Sequence, residues 1–186
     1  MKPELDPRFD DLLCYRGVNP ANVLRGKYLQ IALLDSTGPH VCALAARLSH
    51  ESWSRSAPLA DEDLLTRLEK SGDEHAKGLR WLQYCLLIDA PRYWWAEMDT
   101  YTVGIIPMGS TSTMHKEAKR LKGDDLVATK AALPEGTRQL RIRGFSYHAL
   151  KRIAAQRRKH RLPEWQEFCG FVDHLYSKNP LRWPWW

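Results

Sequence analysis

Residues Trp81 to Ile88 form a near-continuous apolar run, closed by Asp89-Ala90-Pro91. A run of this kind is either a central strand, covered on both faces, or the end of a helix beginning near Asp73. Its strand length and the turn residues that bound it favour the strand. A central strand needs neighbours. Tyr28 to Leu34 is a second short apolar run, ending in the turn cluster Asp35-Ser-Thr-Gly-Pro39. Leu140, Ile142 and Gly144 alternate with Arg141 and Arg143, which predicts a strand with one charged face.

Helical patterns lie between these strands. Val41, Leu44, Ala45 and Leu48 share helical spacing and predict an apolar face. Asp61 can cap a helix whose inner face is Leu64, Leu65 and Leu68, ended by Ser71-Gly72-Asp73. Pro91 opens a helix carrying Tyr93, Trp94, Glu97, Met98 and Tyr101. Ser146 can cap a helix with Leu150, Ile153 and Ala154. Pro163 opens the last one, with Trp165, Phe168, Cys169, Val172 and Leu175 at helical spacing. The rest reads as an irregular lead-in (1–26), a break at 104–109, a polar loop at 110–115, a charged segment at 116–132 interrupted by Gly123, a turn at 133–136 and a tryptophan-rich tail (178–186). Alternating strands and helices over 186 residues predict one α/β (α+β) domain, a central sheet flanked by helices.

Hydrophobic residues at 44% and charged residues at 27% exclude a disordered chain and a membrane protein. No run approaches the ~20 apolar residues of a membrane span. Met1-Lys-Pro-Glu-Leu-Asp lacks the apolar stretch of a secretory signal, so a cytoplasmic protein is expected. The net charge of +6 favours an anionic partner without choosing among nucleotide, nucleic acid and acidic protein. Cys14, Cys42, Cys85 and Cys169 form no Cys-x-x-Cys pair, so no metal site is expected, and they read as reduced core thiols. Neither a Gly-x-Ser-x-Gly elbow nor a Gly-x-x-x-x-Gly-Lys loop is present.

What remains is basic and aromatic. Lys151, Arg152, Arg157, Arg158, Lys159 and Arg161 crowd one segment. They form either a solvated helix end or a phosphate site, because the guanidinium fork matches phosphate oxygens. Arg141 and Arg143 add to that charge. His75 and His115 sit in polar, turn-rich contexts and are either surface histidines or site residues. The segment from Pro91 to Tyr101 carries Trp94, Trp95, Glu97, Asp99 and Tyr101. Glu97 and Asp99 lie about 200° apart on a helix and do not make an acid–base pair. The segment is either a core helix or a wall on which a flavin or base stacks.

The order of these pieces resembles the flavin-dependent thymidylate synthases (ThyX), as a diverged, phage-type relative, from about Tyr28 to Tyr176. Leu44-Ala-Ala-Arg-Leu-Ser-His50 resembles an early Ala-Ala-Arg-x-Ser helix, and Leu64 to His75 resembles a segment ending in Gly-x-His. Ser112-Thr-Met-His115 stands where the family signature ends in Ser-x-Arg, and Arg158 with Pro163-Glu-Trp-Gln166 resembles the late Arg … Ala-Gln-Trp-Glu segment. The departures are Thr100, Tyr101 and Thr102 in place of Arg-His-Arg, Met114 in place of the closing arginine, Ser146 for a late asparagine, and Arg80 with Trp81 for a Glu-His pair.

The resemblance implies a homotetramer with shared sites that uses FAD, NADPH, methylenetetrahydrofolate and a pyrimidine nucleotide. Its chemistry would be one-carbon transfer to carbon 5. By that resemblance Arg158 and His75 are catalytic. Arg157, Arg158, Ser110, Ser112, His115, Arg80 and Arg143 hold the nucleotide, and His75, Trp94, Trp95, Glu97 and Tyr101 hold the flavin. A non-catalytic nucleotide-sequestering protein on the same scaffold, or a nucleic-acid-binding module resting on charge alone, are the other readings.

Overall fold

The computed structural model describes residues 6–112 and 118–177. Its centre is the predicted strand, β3 (Gln83–Pro91), buried along nearly its whole length. β3 pairs antiparallel with β2 (Gln30–Ser36) on one side and with β5 (Arg138–Ser146) on the other. β1 (Val23–Arg25) extends the sheet beyond β2, and β4 (Ile105–Ser110) beyond β5. The order is β1-β2-β3-β5-β4, with every pair antiparallel.

The two faces of the sheet are covered unequally. On one face Ile31, Leu86, Ile88 and Phe145 pack in a large core with side chains from α2 (His40–Leu48), α3 (Pro58–Lys70), α4 (Arg92–Met98), α6 (Tyr147–Arg157) and α7 (Pro163–Ser177). On the other, α1 (Arg8–Arg16) sets Phe9 and Leu13 on Ala32, Leu87 and Leu140. A further helix, α5 (Gly123–Ala131), buries no residue.

Several local expectations change. The lead-in contains α1, because Phe9 and Leu13 stand one turn apart and Gly17 closes the helix at φ 60°. The expected break at 104–109 and the start of the polar loop are β4. Pro107 and Gly109 are tolerated there because β4 is an edge strand with a bulge between them. Gly123 begins α5 rather than interrupting a helix. Asp61 is not a cap: α3 starts at Pro58, and Asp61 is a buried carboxylate that binds Arg47 and Ser56. Trp81 lies outside β3, in a short turn, and is exposed. The apolar stripe of α2 faces outward, with Val41, Leu44 and Leu48 exposed, while Cys42, Ala43 and Arg47 face the core. Cys42 and Cys169 are core thiols as expected, but Cys14 is exposed and Cys85 half-buried.

Two polar devices fix the frame. Asp89, wholly buried in β3, accepts from Arg138 Nε at 2.8 Å and from the Asp6 backbone. Burial raises its carboxyl above the usual range, with Arg138 opposing. Glu167 on α7 accepts from the backbone N–H groups of Lys27, Tyr28 and Leu29 at 2.7–3.2 Å, so one carboxylate holds the turn between β1 and β2. Gly26 is required beside it, since a Cβ there would lie 2.2 Å from Glu167 Oε2.

Candidate functional site

Where β4 begins, β5 ends and α6 starts, the chain leaves a cleft of about 690 Å³. Its floor is Val103, Gly104, Ile105 and Ile106. Its walls are α6 and the 73–83 segment. Ser146 caps α6, accepting from the Ala149 N–H at 3.2 Å, and its own N–H donates to Gly104 O at 2.8 Å. Gly104 has φ 76°, and a Cβ there would sit 2.4 Å from Ser146 Oγ. Only glycine therefore lets β4 approach the helix start this closely.

The cleft is basic. Arg80 enters from the 77–81 turn, and His148, Lys151 and Arg152 from α6. His148 lies 3.2 Å from Ala76 O and 3.6 Å from Asp73. Lys151 is paired with Glu69 at 2.5 Å. Burial raises the Glu69 carboxyl, but hydrogen bonds from Lys151 and Tyr147 outweigh it and hold the group below its ordinary value. Arg152 donates to Val103 O at 3.0 Å. Among the described residues, neither Arg80 nor Arg152 has a carboxylate partner. Two guanidinium groups without a carboxylate partner among the described residues, lining one cavity, are chemically suited to an anion, above all to phosphate oxygens.

A second cavity of about 210 Å³ adjoins the cleft on the sheet face that carries α1, although no α1 residue lines it. Gln83 and Ile106 line both. Cys85 and Gly144 form its floor, Met108 one wall, and Asp35, Ser36 and Thr37 the far rim. Cys85 Sγ lies 3.7 Å from Met108 Sδ. Burial, helped by Asp35, raises the Cys85 thiol above its usual range.

Of the residues singled out from sequence as candidates for a phosphate or nucleotide site, Arg80, Lys151 and Arg152 line the cleft, and the others do not. Trp94 and Trp95 are fully enclosed: Trp94 packs on Trp165 at 4.8 Å, and Trp95 donates to Gln139 O at 3.1 Å. Glu97, Tyr101 and Arg157 are brought together, but as an internal network. Glu97 accepts from Arg157 at 3.0 Å and Trp165 at 2.8 Å, and Arg157 lies between the Tyr101 and Trp165 rings. Arg143 pairs with Asp99 over the Trp95 ring, beside Arg141.

Arg158 is exposed and doubly bonded to Asp173, which lowers the Asp173 carboxyl. His75 is exposed near Glu74 and lines a separate hollow of about 170 Å³ between α2, α3 and residues 75–79. Ser110 ends β4, the opposite end from the cleft, with exposed Ser112 just beyond it. His115 lies outside the described residues.

Lys151 and Arg152 belong to the basic segment that the sequence offers as a solvated helix end or a phosphate site, whereas His148 and Gln83 were not selected. The signal was present, since 148, 151, 152 and 155 share one helical face directly behind a capping serine. Among the described residues no group of three or more His, Cys, Asp or Glu side chains could hold a metal ion, and no helix is long and apolar enough to cross a membrane.

The fold of this chain, a five-stranded antiparallel sheet with its helices massed on one face, is similar to that of solved flavin-dependent thymidylate synthases. Among the similar solved structures are two crystal structures of ThyX from Helicobacter pylori, both complexed with FAD and dUMP. One matches with a TM-score of 0.64 at 15% identity over 80% of this chain and 94% of that one. The other matches with a TM-score of 0.66 at 14% identity over 81% and 95%. No protein-family model and no curated protein matches the sequence.

Proposed function

We propose that this chain binds a pyrimidine deoxynucleotide by its phosphate in the basic cleft and, as a diverged ThyX-like enzyme, supports one-carbon transfer to carbon 5 of the base. The observation that carries the reading is the pair of unpaired guanidinium groups, Arg80 and Arg152, facing a nucleotide-sized cleft. The fold adds support, since the similar solved structures are complexed with FAD and dUMP. Arg80 and Arg152 hold the phosphate, Lys151 and His148 add positive potential, and the Ser146 cap fixes the α6 end that carries three of these groups.

The same cations suit the diphosphate of FAD. The ring platform expected from Trp94 and Trp95 does not fit, because both indoles are enclosed, so no catalytic step is drawn through a flavin, the folate donor or NADPH. That enclosure, with Thr100, Tyr101 and Thr102 standing where the family signature has Arg-His-Arg, favours the second reading, a nucleotide-sequestering protein on this scaffold.

An oligomer of the ThyX kind, a tetramer, belongs to the proposal. Exposed Val41, Leu44 and Leu48 on α2 form an apolar stripe that a partner subunit would cover.

Calorimetric titration with dUMP and with inorganic pyrophosphate tests the binding. The wild type binds both, and Arg80→Ala and Arg152→Ala each weaken binding about tenfold or more. Unchanged affinity in both variants overturns the cleft as the phosphate site. Flavin retained by the purified protein and turnover of dUMP separate the enzyme from the sequestering protein.

A further inference from the structure

We propose that the second cavity holds the base of the nucleotide and that Asp35 selects cytosine over uracil. This rests on the cleft reading above, which anchors the phosphate at Arg80 and Arg152.

The two cavities adjoin, because Gln83 and Ile106 line both, and a ligand that spans them would lie in one trough. A ligand fixed by its phosphate at the α6 end extends across the sheet face toward Cys85 and Gly144. The floor is open because residue 144 has no side chain. A Cβ there would already touch Ile106 at 3.4 Å, and a larger group would fill the space. Ile106 and Met108 supply apolar walls for a flat ring. The thiol of Cys85 stays neutral, since burial and Asp35 both raise it, so the floor carries no competing charge.

The polar discrimination comes from the rim. Asp35 is exposed and accepts at Oδ1 from the Ser36 N–H at 2.7 Å. Among the described residues it has no ion-pair partner; Arg16, at the end of α1, acts on the same thiol but is not paired with Asp35. A carboxylate accepts and does not donate. Cytosine presents an amino group at position 4 and uracil a carbonyl, so an aspartate facing that edge attracts the first and repels the second. The substrate class is then a deoxycytidine phosphate rather than the uridine nucleotide bound in the similar structures.

The test titrates dCMP, dUMP, dGMP and inorganic pyrophosphate into the wild type and Asp35→Asn. The expected result is dCMP tighter than dUMP by about tenfold or more, with the preference lost in Asp35→Asn. A footprint on the wild type gives a second readout: dCMP slows reaction of Cys85 with a small thiol reagent and leaves the exposed Cys14, which lines neither cavity, unaffected. Equal binding of dCMP and dUMP, with both lost in Arg80→Ala, leaves the cleft reading standing and overturns the base assignment. Tightest binding by dGMP, or no protection of Cys85 under saturating dCMP, overturns it as well. If neither nucleotides nor pyrophosphate bind, the cleft reading falls and this inference with it.

Discussion

Replacing Glu167 with alanine tests whether the turn between β1 and β2 is held by a single carboxylate. In the native chain Glu167 accepts from Lys27 N at 2.8 Å, from Tyr28 N at 3.0 and 3.2 Å, and from Leu29 N at 2.7 Å. The Lys27 donor is exposed, and water can replace its partner. The Tyr28 and Leu29 donors are partly buried and lose theirs. A hydrogen bond to a charged group contributes ~1.5–3 kcal/mol, and taking the lower figure for two donors gives a loss of about 3 kcal/mol. For a chain of this length that lowers Tm by about 6–12 °C. Glu167→Gln restores less than half, because its amide NH2 turns a donor toward donors. Gly26→Ala removes the same fit from the other side, its Cβ falling 2.2 Å from Glu167 Oε2 and 2.7 Å from Leu29 O. The two substitutions should therefore be non-additive in a double-mutant cycle. Differential scanning calorimetry reads all four proteins. A Tm shift under about 2 °C for Glu167→Ala would refute the argument and show that solvent satisfies the turn.

Arg158→Ala, unlike Arg152→Ala, should leave nucleotide affinity unchanged, since its guanidinium is committed to Asp173; equal losses in a titration would show that Arg158 reaches the ligand. Gly104→Ala should destabilise by more than about 1 kcal/mol, combining a strained positive φ with a Cβ driven onto Ser146, and denaturant unfolding measures it. Leu44→Asp should shift the protein toward monomer in light scattering; an unchanged mass removes the α2 stripe as an interface. Because Glu69 is held below its ordinary value of 4.5, its contribution to stability is present above that pH and is lost as pH falls through the lowered value. Tm measured against pH should thus drop less steeply in acid for Glu69→Gln than for the wild type.

The elements that could be read from sequence were those whose apolar content agrees with their final burial. β3 announces itself because Leu86, Leu87 and Ile88 are covered from both sides. α6 does so because Ser146 caps it and Leu150 and Ile153 face the core. β4 was illegible because an edge strand can carry Pro107 and Gly109, residues that argue against a strand wherever both edges are paired. The α2 stripe misled for a different reason: helical spacing says that residues share a face, not which way the face points.

At the site, counting cations drew attention to Arg143, Arg157 and Arg158, each of which is neutralised by Asp99, Glu97 or Asp173 from elsewhere in the chain. Among the described residues Arg80 and Arg152 lack such a partner, and pairing between distant residues is fixed by the fold rather than by local sequence.

The strand order also governs how the chain is made. β5 lies between β3 and β4 in the sheet but follows both in sequence, and about fifty residues separate β3 from its β5 partners. At ~5–20 residues per second, a ribosome that has finished β3 needs several seconds more to deliver β5. Throughout that interval Leu86, Leu87 and Ile88 offer an unpaired apolar edge, and β4, synthesised partway through it, still lacks its β5 neighbour. The N-terminal pairing of β1, β2 and β3 can form early, whereas the corner that carries Arg80 and Arg152 closes only after α6 has emerged. A nascent chain stalled before residue 138 should therefore bind hold-type chaperones through β3, and the capacity to bind an anion should be the last property this protein acquires.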